Sequence, residues 1–359
     1  MKSNSEHKIY DCIIIGCGQA GLSVGYFFRR TKLEYLILDE QDTVGGAWLK
    51  TWDSLKLFSP AAYSSLSGWQ MPNTEEEYPS KNEFIKYITA YEKRYNFPVN
   101  HKTTVLEVVK EANFYKITTN KGDFYSKTLV SATGTAKNPF IPKYPNDEVF
   151  KGKQIHSVAY KNANDLKGKN VIVVGGGNSG AQILAEVSKV AKTKWVTLKE
   201  PKFLPKEIDG RYLFKQATES YVNNDTKSYT EKVSLSDIVQ VKSVQEALKR
   251  GVFKDYRPFT SFYDDGVIWE DNTKEPVDVI IWCTGFRANL EHLSSLHITE
   301  NNKINTTGTK ATDITGLWLV GYGNWTGFAS ATIYGVGKTA KQTVKEIVAY
   351  VNGLKNKSL

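Results

Sequence analysis

Ile9-Tyr10-Asp11-Cys12-Ile13-Ile14-Ile15-Gly16-Cys17-Gly18-Gln19-Ala20-Gly21 is a short β-branched run that leads into a Gly-x-Gly-x-x-Gly motif, and a helical pattern follows from Leu22 to Arg30. The arrangement recurs in Val171-Ile172-Val173-Val174-Gly175-Gly176-Gly177-Asn178-Ser179-Gly180, followed by a helical pattern from Ala181 to Ala191. A continuous apolar run is how a buried parallel strand reads. In such a unit the first glycine permits a tight turn. The second removes a side chain where a pyrophosphate approaches the backbone, and the third lets the helix pack close to the strand. The pyrophosphate then meets the free N–H groups and positive dipole end of the helix. Glycines used only for turns are the plainer reading, but a strand before and a helix after, met twice, weigh against it. Gly16, Gly18, Gln19, Ala20 and Gly21 are therefore expected to bind one dinucleotide, and Gly175, Gly177, Asn178, Ser179 and Gly180 a second.

The ends of the following strands support this. Asp39 lies 18 residues after Gly21, close to the spacing of a carboxylate that takes the ribose hydroxyls, with Glu40 as the alternative. The equivalent place after Gly180 holds Lys199, beside Glu200. A cation there can accept a 2′-phosphate, which points to NADPH or to use of both NADPH and NADH. A solvated surface lysine is the equally open reading. Two dinucleotide sites imply two cofactors, one held and one exchanging. Flavin with nicotinamide is the chemically sensible pair, because nicotinamide delivers a hydride and flavin passes electrons on singly or to oxygen.

Each glycine motif is followed by a meander ending in Thr-Gly. In the first copy Thr103–Val109 and Tyr115–Thr119 read as strands, with a turn at Asn120-Lys121-Gly122 and a last strand closing in Ala132-Thr133-Gly134. In the second, Phe259–Tyr263 and Val267–Glu270 flank Asp264-Asp265-Gly266, and Cys283-Thr284-Gly285 closes the copy. Asp-Gly and short Gly-containing loops between alternating runs are hairpin signals. Leu317 to Gly323 and a helix from about Thr326 to Gly353 carry no glycine motif and complete the first sheet. The expected fold is α/β, with two Rossmann-like domains, the second inserted into the first and each carrying a β-meander. Residues 1–158 and 279–359 form the first, and 159–278 the second, with a polar excursion at 203–254 that is either a surface loop or a cover over a site.

Composition narrows the class. The 359 residues are 40% hydrophobic and 24% charged, which excludes wholesale disorder. Three scattered cysteines with no C-x-x-C exclude a disulfide-stapled scaffold and a dithiol redox centre. The formal charge of +9 is spread along the chain and reads as a solvated surface rather than a nucleic-acid face. No apolar run approaches a membrane span or a signal-peptide core, so a cytoplasmic protein is expected. Metal ligands are not expected.

The chain resembles the flavin-containing monooxygenases. Phe150-Lys151-Gly152-Lys153-Gln154-Ile155-His156-Ser157-Val158-Ala159-Tyr160-Lys161 satisfies that family's F-x-G-x-x-x-H-x-x-x-[FY]-K fingerprint. Gly45-Gly46-Ala47-Trp48 matches its G-G-x-W, and Thr133-Gly134 and Thr284-Gly285 match its two domain-crossing T-G motifs. The length and the segments Glu200–Leu204 and Asp209–Arg211 are similar to a small bacterial branch that is less strict between NADH and NADPH. The resemblance implies that NAD(P)H reduces FAD, that the reduced flavin forms a C4a-hydroperoxide with O2, and that one oxygen passes to a sulfide, an amine or a ketone. The protein's task is then to exclude water and hold the oxidised nicotinamide over the flavin. Gly46, Ala47 and Trp48 are expected at the flavin, and Val105, Gly323 and Asn324 complete the cofactor-binding set.

Phe58, Ser59 and His156 are the expected catalytic positions. Phe58 is expected beside the flavin ring. Ser59 stands in Leu57-Phe58-Ser59-Pro60, where many members have an Asn that positions nicotinamide and oxygen. His156 is either a base or, since its fingerprint lies between the domains, a residue that holds the hinge. His7, His101, His292 and His297 have no partner that the sequence suggests, and Cys283 reads as core.

The partners are a small-molecule substrate and O2, with no nucleic acid and no membrane, and a homodimer is compatible with the chain. A leaky variant would be an NAD(P)H oxidase releasing hydrogen peroxide. A flavin- and nicotinamide-binding accessory protein without turnover is the alternative from another class. Disulfide reductases share the architecture but need a dithiol, and the final helix, with Lys341, Lys345 and Glu346, does not suit a membrane-bound quinone enzyme.

Overall fold

The computed structural model describes residues 7–208, 210, 212, 237–327 and 329–357. The first glycine motif joins strand β1 (Ile9–Ile15) to helix α1 (Gln19–Phe28). Cys12 to Ile15 are buried, as a parallel strand covered on both faces requires. β2 (Tyr35–Leu38), α2 (Lys81–Tyr95) and β3 (Val99–Asn100) follow, and then the meander β4 (Val105–Glu111), β5 (Phe114–Thr119) and β6 (Gly122–Ser131). β1 pairs in parallel with β2 on one side and β6 on the other.

α2 is set by its own sequence. Ser80 and Glu83 form a reciprocal capping box, a feature that stabilises a helix start by about 1 kcal/mol. Phe84, Tyr87, Ile88 and Tyr91 recur at helical spacing and are buried, and Asn96 ends the helix in the left-handed conformation.

The second unit contains β7 (Lys153–His156), β8 (Asn170–Val174), α3 (Asn178–Val187), β9 (Lys192–Val196) and β10 (Asp255–Tyr256). It continues with β11 (Ser261–Tyr263), β12 (Gly266–Ile268), β13 (Lys274–Pro276) and β14 (Val279–Trp282). Its parallel sheet runs β10-β9-β8-β14-β7, while β11 to β13 form a separate antiparallel meander. The strand Leu317–Leu319 then pairs in parallel with β6, and the helix Ile333–Lys357 packs on α1. Two Rossmann-like units, one inserted in the other, are thus borne out.

The boundaries differ from the sequence expectation. Lys153–His156 falls before residue 158 and Val279–Trp282 starts at residue 279, so both are expected in the first unit. Instead β14 pairs with β7 and β8 inside the second sheet. The two connections between the units run side by side, joined by a bridge between Pro139 and Phe286 and by Phe140 N–H donating to the Gly285 carbonyl at 3.0 Å.

The described ends of the 203–254 excursion are not polar surface. Leu204, Ile238, Val239, Val241 and Val244 are buried in the second core, and Lys242–Lys249 is a helix. Residues 209, 211 and 213–236 lie outside the described set. No described helix is long and apolar enough to cross a membrane.

Candidate functional site

A cavity of about 430 Å3 opens at the C-terminal edge of the first sheet, where open α/β sheets bind their ligands. It brings together Gly16, Gly18, Gln19 and Ala20 of the first motif with Asp39 and Glu40 at the end of β2. Gly46, Ala47, Trp48, Val105, Thr133 and Gly134 complete the predicted residues that line it. Gly21 lies behind, where the third glycine of the motif belongs. A Cβ there would fall on the Gly16 carbonyl, well inside van der Waals contact. At Gly18 an added Cβ would meet only the Gly46 Cα, at 3.8 Å, so the floor is two apposed glycines with exposed backbone.

Asp39 is buried, with 4% of its surface exposed, and Oδ2 has no hydrogen-bond partner. Burial pushes its carboxyl up, against backbone N–H groups of Gln41 and Cys17 that favour the charged form. Glu40 instead forms an ion pair with Lys137. At the other wall, Trp48 Nε1 donates to Gln19 Oε1 at 3.0 Å, and Gln19 Nε2 donates to the Ala331 carbonyl at 2.8 Å. The first T-G motif is fixed by Thr133 Oγ1 donating to the Asn289 carbonyl at 2.7 Å.

Beneath that motif lies a polar network the sequence did not suggest. Ser131 Oγ is 2.5 Å from the Tyr322 hydroxyl and 3.0 Å from His292 Nε2. Burial, and then the Lys137 charge, push the His292 imidazole down to about 4. A group with a folded value below its unfolded one of about 6.5 contributes fully at neutral pH. Stability is then lost as pH falls from about 6.5 toward 4, by up to about 3 kcal/mol for this group. Urea unfolding at pH 7 and pH 4.5 is expected to show a steeper acid loss for wild type than for His292→Gln. Parallel losses would refute the assignment.

The catalytic positions fall elsewhere. Phe58, Ser59 and His156 do not line the cavity. The Phe58 carbonyl accepts from Gly210 N–H at 3.0 Å. Ser64 Oγ donates to the Ser59 carbonyl, so the 2.9 Å contact between the two hydroxyls uses Ser59's only proton. His156 Nε2 donates to the Gly285 carbonyl at 2.9 Å and Nδ1 accepts from Val158 N–H at 3.3 Å. Burial lowers its pKa, and both ring nitrogens are taken by backbone, which places the ring as a link between the Ser157 and Gly285 segments. Thr284 and Gly285 likewise bond to the Phe140 segment and His156. Gly323 accepts from Ser330 Oγ in a turn with Asn324; Gly321 and Ala331 of this segment reach the cavity, and those two residues do not.

The second motif is built alike. A Cβ on Gly180 would fall on the Gly175 carbonyl, which also accepts from Trp195 Nε1 at 2.8 Å. Asn178, expected at the cofactor, instead donates to the Asp237 carbonyl at 3.0 Å and accepts from Val239 N–H at 2.9 Å. Ser179 stands next to it in the first turn of α3, whose N-cap is Gly177. Lys199 is exposed at the surface. A cation the sequence reading missed, Arg257, stands at the same strand end. Its Nη1 donates to Thr197 O and Oγ1 at 3.0 and 3.1 Å, and it pairs with Asp255. Thr197 in turn faces Gly176.

The pyridine nucleotide-disulphide oxidoreductase family matches residues 13–321. An uncharacterized oxidoreductase, CzcO, of Bacillus subtilis is 34% identical over 94% of this chain and 99% of its own length. The probable indole-3-pyruvate monooxygenase YUCCA1 of Arabidopsis thaliana is 26% identical over 79% of this chain and 77% of its own. Among solved structures, a flavin-containing monooxygenase from Stenotrophomonas maltophilia superposes with a TM-score of 0.88 at 40% identity, covering 96% of this chain and 99% of that one.

Proposed function

The chain belongs to the pyridine nucleotide-disulphide oxidoreductase family, and on that premise we propose that it is an FAD-dependent, NAD(P)H-driven monooxygenase. The acceptor is a small molecule with a soft nucleophilic sulfur or nitrogen, or a ketone, and O2 is the co-substrate. The observation that carries the reading is the buried Asp39 Oδ2 without a hydrogen-bond partner, at the edge of a cavity floored by Gly18 and Gly46. A lone acceptor there suits the ribose hydroxyls of FAD, and the bare glycine floor with the α1 N-terminus suits its pyrophosphate. Trp48 and Gln19 wall the cavity and would keep water from the reacting end. Bound FAD supplies the electron transfer and oxygen chemistry that amino-acid side chains lack.

Disulfide reduction, the chemistry in the family's name, does not suit these cysteines. Cys12, Cys17 and Cys283 are all unpaired thiols. Burial pushes Cys12 and Cys283 up to about 12 and Cys17 well above its usual value, so none offers a thiolate at neutral pH.

The test is stoichiometry. Purified protein should carry flavin absorbance, oxidise NADPH in air, and form about one sulfoxide from an aryl methyl sulfide per NADPH consumed. A colourless protein that binds no added FAD would end the proposal. A second reading, an oxidase releasing hydrogen peroxide, is favoured by Ser59, whose hydroxyl is taken by Ser64. Peroxide formed in place of sulfoxide, one per NADPH, would select it.

Cofactor choice is read at the end of β9. Arg257 is already held by Thr197, whereas Lys199 is an exposed point charge beside Glu200. Both NADH and NADPH are expected to serve. Arg257→Ala is expected to raise KM for NADPH by up to about tenfold and spare NADH, with a smaller change for Lys199→Ala. A larger effect of Lys199→Ala would make Lys199 the phosphate reader.

A further inference from the structure

Asp39 does not stand alone at its cavity edge. Its orphaned Oδ2 lies 3.7 Å from His101 Nδ1, which also has no hydrogen-bond partner. The other ring nitrogen, His101 Nε2, meets Glu92 Oε1 at 2.7 Å. Three elements converge to make this line. Asp39 directly follows β2, His101 stands on the turn after β3, and Glu92 projects from α2.

Each member is anchored by backbone. Asp39 N–H donates to the Asn100 carbonyl at 3.0 Å, and Thr103 N–H returns to the Asp39 carbonyl at 2.7 Å. Lys102, in the left-handed conformation, donates its N–H to Gln41 O at 2.9 Å. The turn that carries His101 is therefore laced to the strand end that carries Asp39. Glu92 is held by a helix whose start is boxed and whose apolar face is buried.

Among the described residues, the titratable and charged groups facing this line are few. Cys17 comes from the glycine loop, Glu40 adjoins Asp39, and Lys102 adjoins His101. From the turn between β5 and β6, Lys121 Nζ donates to the His101 carbonyl at 2.7 Å. Burial favours the neutral form of Asp39, while the His101 charge favours the carboxylate. Only the carboxylate accepts from both hydroxyls of a ribose. A carboxylate that fixes an imidazole, which in turn fixes the group facing the ligand, is also how outer residues orient metal-binding histidines.

We propose that Glu92–His101–Asp39 is a positioning relay: Glu92 fixes the His101 ring, and the ring, held 3.7 Å from the Asp39 carboxylate, keeps that carboxylate aimed at the adenosine ribose of FAD, so that flavin retention depends on His101. The inference rests on the reading of this cavity as the FAD site.

The test is fluorescence titration of deflavinated full-length protein with FAD at pH 7. His101→Ala removes the ring and should bind about tenfold more weakly, a difference of about 1.4 kcal/mol. His101→Asn returns an amide N–H near the position of Nδ1 and should recover most of that loss, whereas His101→Leu, which only fills the space, should not. Wild-type affinity in His101→Ala, or equal rescue by His101→Leu, overturns the relay. Glu92→Gln should weaken binding by a smaller factor. If His101→Ala fails to fold by circular dichroism, wild-type affinity in Glu92→Gln overturns the relay in its place. Asp39→Asn separates the two readings: unchanged affinity there would overturn the FAD assignment of the cavity itself.

Discussion

Gly21→Ala is expected to cost the first unit its fold, while Gly18→Ala, three residues away, should leave the fold and remove the flavin. The two glycines do different work. At Gly21 the new methyl would sit on the Gly16 carbonyl, and neither backbone segment can move without pulling α1 off β1. Overpacking of this kind costs about 3 kcal/mol or more, because rigid backbone is the obstacle rather than a flexible side chain. At Gly18 the methyl meets only Gly46 at ordinary contact distance, so the empty protein has room for it. The same methyl occupies the space through which a pyrophosphate reaches the backbone. Thermal unfolding and flavin content, measured together, read both effects. A Gly18→Ala protein purified with its full flavin would remove the first motif from the FAD site.

Gly177→Ala is expected to lower affinity for NADPH by at least about tenfold and leave flavin content untouched. The two glycine motifs belong to separate sheets, and no residue of the second motif lines the first cavity. Equilibrium binding of NADPH, followed by quenching of protein fluorescence, gives the affinity, and the visible spectrum gives the flavin. Loss of both cofactors together would mean that one site, not two, had been described.

Both dinucleotide motifs were legible in the sequence because their signals are local: a strand, three glycines and a helix within a dozen residues. The domain boundaries were not. An apolar run such as Val279–Trp282 reads alike whichever parallel sheet it joins, and its partners β7 and β8 lie more than a hundred residues upstream. The polar side chains failed for the same reason. Asn178 looked available until residues 237–239, about sixty positions on, returned to take its amide. Ser59 is taken by Ser64 across a tight turn, and His101 gains its place only when α2 and β2 close around it. Arg257 follows a two-residue strand too short to announce itself, so Lys199 was the sole visible cation.

The insertion also imposes an order on synthesis. The strand Leu317–Leu319 pairs with β6, which ends at Ser131, and two further short strands, Lys310–Ala311 and then Thr306–Thr307, lie outside it. A ribosome releases the whole of 153–282 between those partners, so the second unit has all its strands in hand while the first still lacks three. During that interval one edge of β6 stands open, and long-range parallel pairing is slow to close. Truncation between Trp282 and Leu317 should therefore release a nascent chain with a finished second unit and a sticky, unfinished first sheet.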